Sequence, residues 1–414
     1  MVIVYIRLSR CYFLVMEIQN NKLSRSISLP RATLYGTGAI LGAGIYALIG
    51  KIAGASGLLA PISFLVSAII AAFTAYSYVQ LVKSFPKSAG EAEYVYQAFN
   101  NKSLSNIIGW SVALTGIVSA STLINGFTGY FKIFLAIPDW SIVCLVIAIA
   151  LVLAIKGIKE SLTVIAVITI LEVGGLLLIC SAGFEGLLDK NFLISQTIES
   201  FSPSQVGPIL VGAFLAFYAY IGFEDIVNLG EETKAPGKTL SLAIILSLII
   251  STVLYILVAL VAISSMPLDA LVQSKAPLAE MYQSFGGNPK LMSFIAMFAI
   301  FNGILAQIIM SSRILYGLKH PFKMFKILSS VNPQTKTPIV STLFVTAIIL
   351  TLTQLFNLAT LATATSFIIL IVFTFVNFSL IQLEHKKSQK NLWNIVIPVI
   401  AILLNISFLM FRVA

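Results

Sequence analysis

The chain has 414 residues, of which 58% are hydrophobic and 10% charged, with a mean hydropathy of +0.98. A soluble globule carries about 25% charged residues, so this composition excludes an ordinary water-soluble domain and points to lipid as the solvent. The formal charge of +10 raises the question of an anionic partner, and the placement of the basic residues along the chain answers it.

Residues 1 to 15 hold an apolar run interrupted by Arg7 and Arg10, with no small-residue cleavage site after it, so they do not read as a signal peptide. Met16 opens a polar basic lead into the first apolar stretch, and translation is expected to begin there. Windows of about 20 apolar residues, enough to cross about 30 Å of hydrocarbon, then fall near 33 to 52, 59 to 82, 105 to 131, 138 to 155 and 161 to 183. Five more follow near 207 to 230, 239 to 264, 290 to 317, 338 to 356 and 359 to 382, and an eleventh near 394 to 412. Eleven spans place the termini on opposite sides. With the N-terminus in the cytoplasm and the C-terminus outside, every lysine and arginine except Lys51, Lys132, Lys190, Lys275, Lys290 and Arg412 falls on the cytoplasmic side. That is the positive-inside pattern of a multi-pass protein of the cell membrane. The charge is therefore topological, and no nucleic-acid partner is expected.

The first and sixth spans each carry a glycine break, Gly42-Ala43-Gly44-Ile45 and Tyr220-Ile221-Gly222-Phe223-Glu224. Glycine-interrupted spans at matching places in two halves are the sequence pointer to a transporter's substrate site, because unwound backbone exposes amides and carbonyls. Spans one to five (33 to 183) and six to ten (207 to 382) have the same rhythm, and an odd number of spans per half forces inverted topology. The reading is one all-helical membrane domain: a cytoplasmic lead over 1 to 32, a five-plus-five inverted repeat, and one additional span. The longest loops, near 184 to 206 and 265 to 289, hold turn formers, and a short surface helix is expected around 277 to 285.

Cys11, Cys144 and Cys180 lack metal-type spacing or an evident bridging partner, and His320 and His385 lie at cytoplasmic ends of spans, far from any nucleophile. No metal site, cofactor or hydrolytic constellation is expected, and the chain does not read as an enzyme.

Several segments carry a family resemblance. They are GTGAILGAGIYALIGKIAG (36 to 54), FPKSAGEAEYVYQAF (85 to 99), GIKES (157 to 161), FLAFYAYIGFEDIVNLGEETKAPGKTL (214 to 240) and the stretch from Ser312 to Pro338. Over nearly its full length the chain resembles the amino acid, polyamine and organocation transporter superfamily, nearest its cationic amino acid transporter and prokaryotic permease branches. It departs in the loop GLKHPFKMF after span eight, and in an eleven-span count where relatives have twelve. The resemblance implies a LeuT-like fold in which helices 1 and 6 are unwound near the midplane, and transport of amino acids or related amines by proton symport, sodium symport or exchange.

A zwitterion in low dielectric needs both charges satisfied. Amides around Ala43, Gly44 and Ile45 begin a half-helix whose positive end suits a carboxylate. Carbonyls of Tyr218, Ala219 and Ile221 suit an ammonium. Gly42 and Gly222 allow close approach, and Ile40, Tyr218 and Ile221 are the candidate selecting side chains. Tyr218, Phe223 and Glu224 are the candidate gate, with Glu224 bracing the half-helix, and Glu231 and Glu232 are expected to pair with Lys234, Lys238 or Lys83. Span three offers Thr115, Ser119, Thr122 and Asn125 but no carboxylate, which favours neutral substrates; its hydroxyls are equally suited to bonding their own helix. Asn228 and Gln307 are further buried polar candidates. Glu172, deep in span five, occupies the position where proton-coupled relatives place a lysine. An ionisable group there is by default functional, and protonation would alter its hold on span-one carbonyls. The rival reading is a sodium site of Glu172, carbonyls near Ala39 and Gly42, and Ser311 or Ser312; a purely structural carboxyl, hydrogen-bonded to a neighbouring helix, is the other. A transporter-like nutrient sensor is the more distant alternative.

Overall fold

The computed structural model describes residues 27–42, 44–86, 90–156, 162–187, 202–230, 232–318, 327–335 and 337–413. The expected start at Met16, Ala43, the GIKES entry, most of the loop after residue 187, Glu231 and His320 lie outside the described residues. The helices are α1 (Leu29–Leu41), α2 (Gly44–Ser56), α3 (Ala60–Ser84), α4 (Gly90–Phe99), α5 (Lys102–Phe131), α6 (Asp139–Lys156) and α7 (Leu162–Ala182). They continue as α8 (Val206–Phe217), α9 (Pro236–Ser265), α10 (Leu268–Gln273), α11 (Pro277–Ser284), α12 (Pro289–Gly317), α13 (Ile339–Leu355), α14 (Leu358–His385) and α15 (Trp393–Val413).

Local chemistry sets these boundaries. Asn101, Asn288 and Asn357 cap α5, α12 and α14 by accepting from the amides of Ser103 and Leu104, Lys290, and Thr360 respectively. Prolines sit in the first positions of α1, α3, α9, α11 and α12, where a missing N–H costs nothing.

Among the described residues, nine helical stretches are long and apolar enough to cross a membrane; one of them, Gly44–Ser84, runs 41 residues and contains both α2 and α3. Ile339–Leu355 is a shorter apolar helix. The surface helix expected around 277 to 285 is found at Pro277–Ser284, and a second short one precedes it at Leu268–Gln273. Strand pairing among the described residues is confined to a parallel bridge between Ile27 and Thr233.

Burial separates centre from periphery. In α5, 78% of the apolar window is buried inside the protein, against 33% in α6, α7 and α15, so α5 is the central post. It packs on α12, α14 and α13. Where side chains are small, hydroxyls tie helix to helix: Ser63 Oγ donates to the Ile209 carbonyl at 2.9 Å and Ser67 Oγ to that of Ala213 at 2.6 Å, fixing α3 on α8. Such bonds replace water where lipid supplies none.

The α14–α15 corner is built on a buried carboxylate. Glu384 Oε2 accepts from Lys387 Nζ at 2.8 Å and Asn394 Nδ2 at 3.0 Å, while Oε1 accepts the Asn391 amide at 2.7 Å. Asn394 also accepts from the Tyr76 hydroxyl at 2.7 Å, which carries the network to α3.

Candidate functional site

Two interruptions in the helices face each other. In the first, α1 ends at Leu41, the Gly42 amide closes back on the Gly38 carbonyl at 3.0 Å, and α2 opens at Gly44. The opening amides of α2, at Gly44, Ile45 and Tyr46, have no acceptor in their own helical ladder. In the second, α8 ends at Phe217, Tyr218–Tyr220 form a 3₁₀ turn, and Ile221 is extended (φ −63°, ψ 132°). Gly222 follows with φ 127°, and a 3₁₀ stretch, Glu224–Leu229, leads away.

Glycine is required at the crossings. A Cβ on Gly222 would stand 2.6 Å from the Ala39 carbonyl oxygen, and its φ already disfavours an L side chain. A Cβ on Gly44 would stand 2.1 Å from that of Ala219. The two interruptions therefore touch through backbone, with Ile40, Ile45, Tyr218, Ala219, Ile221 and Phe223 all buried around them.

Tyr255 of α9 joins them. Its hydroxyl proton is shared between the carbonyls of Ile40, at 2.7 Å, and Ala219, at 2.8 Å. Sequence reasoning missed this residue, because a lone tyrosine in an apolar span carries no signature that separates it from a core aromatic. The Ala219 carbonyl, a candidate ammonium acceptor, thus already holds one donor, and the Tyr218 carbonyl accepts the Ile221 amide at 3.2 Å.

Tyr218 reaches across to α5. Its hydroxyl lies 3.1 Å from Ser119 Oγ and 3.2 Å from the Ser119 carbonyl, both buried. The other span-three candidates are occupied differently. Thr115 and Thr122 donate to their own helix at Ser111 and Val118, and Asn125 Nδ2 donates to the Phe356 carbonyl at 3.0 Å. Glu224 Oε2 accepts the Gly222 amide at 2.8 Å and so caps the second interruption. Phe223 meets Tyr78 at a centroid distance of 5.6 Å and Phe373 at 5.3 Å. The Tyr78 hydroxyl donates to Glu91 Oε1 at 2.9 Å, and burial pushes the Glu91 carboxyl above its ordinary range.

Glu172 of α7 is fully buried. Among the described residues, neither of its carboxyl oxygens nor the hydroxyl of Thr169, one turn earlier, has a hydrogen-bond partner. It stands beside the first interruption: a Cβ on Gly42 would lie 3.3 Å from the Ala299 carbonyl of α12 and 4.0 Å from Glu172 Oε1. A Cβ on Gly38 would meet Thr169 Oγ1 at 2.1 Å. The Tyr46 hydroxyl donates to the Glu172 backbone carbonyl at 2.9 Å, tying α2 to α7. The α12 group brought to this point is the Ala299 carbonyl. Ser311 instead donates to Ala113 at 3.0 Å and Ser312 to Ile309 at 2.9 Å. No group of three or more histidine, cysteine or acidic residues able to hold a metal occurs among the described residues.

Known proteins place the chain in a family. A family model described as "Amino acid permease" matches residues 27–414. The chain is similar to the branched-chain amino acid permease BcaP of Bacillus subtilis (strain 168), 29% identical over 388 residues, which cover 88% of this chain and 82% of that protein. It is also similar to the mitochondrial cationic amino acid transporter 3 of Arabidopsis thaliana, 27% identical over 88% of this chain but only 63% of that longer protein. The crystal structure of a mutant manganese transporter from Eremococcus coleocola shares the fold, with a TM-score of 0.61 over 91% of this chain and 86% of that one, at 13% identity. The chain belongs to the amino acid permease family of the amino acid, polyamine and organocation superfamily.

Proposed function

We propose that the chain is a secondary active transporter that imports neutral amino acids across the cell membrane by alternating access, coupled to protons through Glu172. The observation that carries this reading is the pairing of a buried carboxyl, unpartnered among the described residues, with the glycine interruption at Gly42. A carboxylate left bare in low dielectric is costly, and the neutral acid is not. Protonated, Glu172 offers one O–H donor to the carbonyls gathered at Gly42. Deprotonated, it repels them, so each proton taken up or released biases how α1 sits against α7.

In this reading the chain is a LeuT-like five-plus-five inverted repeat of eleven spans. Its first and sixth spans are discontinuous at the midplane and its N-terminus is cytoplasmic. The carboxylate of the substrate meets the opening amides around Gly44 and Ile45, and the ammonium meets carbonyls of the second interruption. Tyr218, held by Ser119, covers the ligand. The absence of any aspartate or glutamate from the α5 sequence supports neutral over cationic substrates. Names of the relatives, a branched-chain amino acid permease and a cationic amino acid transporter, bracket that choice. Uptake of radiolabelled leucine into proteoliposomes, competed by a panel of unlabelled amino acids, tests it. Neutral aliphatic amino acids should compete and lysine and arginine should not; the reverse ranking, or no uptake of any amino acid, sinks the proposal.

A further inference from the structure

We propose that the protein holds the phosphate headgroup of an anionic phospholipid in a cavity where α3, α14 and α15 meet. This cavity, about 310 Å³ in volume, is lined by Lys83, Ser84, Lys387 and Asn394 together with apolar residues including Phe85 and Leu383. Neither helix interruption contributes to it.

A lining that sets two lysines among apolar side chains suits an amphiphile better than a soluble ion. The cavity lies at the ends of α3, at Ser84, and α14, at His385, and at the start of α15, at Trp393. These apolar spans meet water there, on the lysine-rich side that the positive-inside pattern assigns to the cytoplasm. Its volume is at the low end of the roughly 300–1,000 Å³ typical of small-ligand sites, enough for a headgroup whose acyl chains run outward along lipid-facing helix surface.

Charge favours an anion despite the nearby Glu384. That carboxylate is already satisfied by Lys387, Asn391 and Asn394. Among the described residues Lys83 makes no ion pair, its Nζ donating only to Gln80 Oε1 at 3.4 Å. Lys386 is turned away, its Nζ bonded to the Ala98 carbonyl at 2.7 Å. Among the described residues Lys83 is thus a cavity cation without an ion pair, and Lys387, half-exposed and paired with Glu384, is a second cation beside it. Juxtamembrane lysines attract anionic lipid by about 1 kcal/mol each, close to fivefold in affinity. A lipid seated here would join α15, which lies beyond both halves of the proposed repeat, to α3.

The test titrates the purified full-length protein, in neutral detergent, with fluorescent phosphatidylglycerol and with phosphatidylcholine of the same chains, and then adds inorganic phosphate as competitor. The proposal expects saturable binding of phosphatidylglycerol and at least fivefold weaker binding of phosphatidylcholine. It also expects about fivefold weakening in Lys83→Gln and no change in Lys102→Gln, an exposed lysine on the same side but outside the cavity. Equal weakening by the two substitutions would show diffuse attraction and overturn the site. Displacement by inorganic phosphate at concentrations matching those of the lipid would overturn the lipid as its occupant. Lys387→Gln is not needed for the test, since Lys387 also holds Glu384.

Discussion

The hydroxyl of Tyr255 lies 2.7 Å from the carbonyl oxygen of Ile40, 215 residues earlier in the chain, at the point where the first interrupted span gives up its helix. The same proton is shared with Ala219 in the other interruption. One side chain on α9 therefore satisfies two carbonyls buried in the protein interior, one at each interruption. Removing the hydroxyl by Tyr255→Phe should cost about 1–3 kcal/mol, the penalty for a buried acceptor without a donor. The midpoint of thermal unfolding in detergent should fall and transport should slow. A variant as stable and active as the wild type would show that this bond holds nothing.

Backbone contact between the interruptions predicts a sharp contrast among glycines. Gly222→Ala meets both an unfavourable φ and the Ala39 carbonyl, and Gly44→Ala meets Ala219. Both should abolish the monodisperse peak in fluorescence-detected size exclusion, or leave protein that does not transport. Gly174→Ala, in α7 with nothing within 4 Å of the added methyl, should behave as wild type or gain up to about 1 kcal/mol from helix propensity. Tolerance of alanine at Gly222 would contradict the described crossing.

Tyr218 and Ser119 make a specific prediction for substrate affinity. Their hydroxyls are 3.1 Å apart, so Tyr218→Phe and Ser119→Ala remove the same bond. Each should raise KM for uptake about fivefold, from roughly 1 kcal/mol of lost orientation, and the double variant should be little worse than Tyr218→Phe, which also loses the bond to the Ser119 carbonyl. Additive effects would mean that the two act separately.

Glu91 supplies a pH dependence. Its carboxyl is raised above the ordinary value of 4.5, chiefly by burial. The stability it contributes is complete below that ordinary value and is lost as pH rises through the higher folded-state value. Glu91→Gln keeps an acceptor for the Tyr78 hydroxyl without a charge to bury. Melting midpoints measured from pH 4.5 upward should decline more steeply in the wild type than in the variant; parallel curves would contradict this.

Sequence reading reached the helical membrane class and singled out Gly42 and Gly222, close to which helix bounds fall, because these are written in local composition. Apolar runs of membrane length and glycines within them need no knowledge of what packs on them. Glu172 also stood out, since an ionisable group in ILEVGGLLLI is costly in lipid. Tyr255, Thr169 and Ala299 did not. Their importance comes from crossings between distant helices, and a tyrosine, a threonine or an alanine in an apolar span looks the same whether it meets a broken helix or an intact one. Span three shows the converse: Ser119 meets Tyr218 through both its hydroxyl and its carbonyl, while the hydroxyls of Thr115 and Thr122 donate back to their own helix. Residue type alone does not separate those outcomes, because the helix carbonyl is always within reach of its own threonine.

Alternating access as proposed turns on a proton carried by Glu172. Its direct test is uptake of a radiolabelled amino acid panel into proteoliposomes with and without an inward proton gradient, comparing wild type with Glu172→Gln, a near-isosteric change at a carboxyl unpartnered among the described residues. Proton coupling through Glu172 predicts gradient-driven accumulation by the wild type, and a variant that still binds and exchanges substrate but no longer accumulates it against a gradient. Accumulation by Glu172→Gln equal to wild type, or uptake by the wild type that follows sodium or internal amino acid rather than protons, would contradict it.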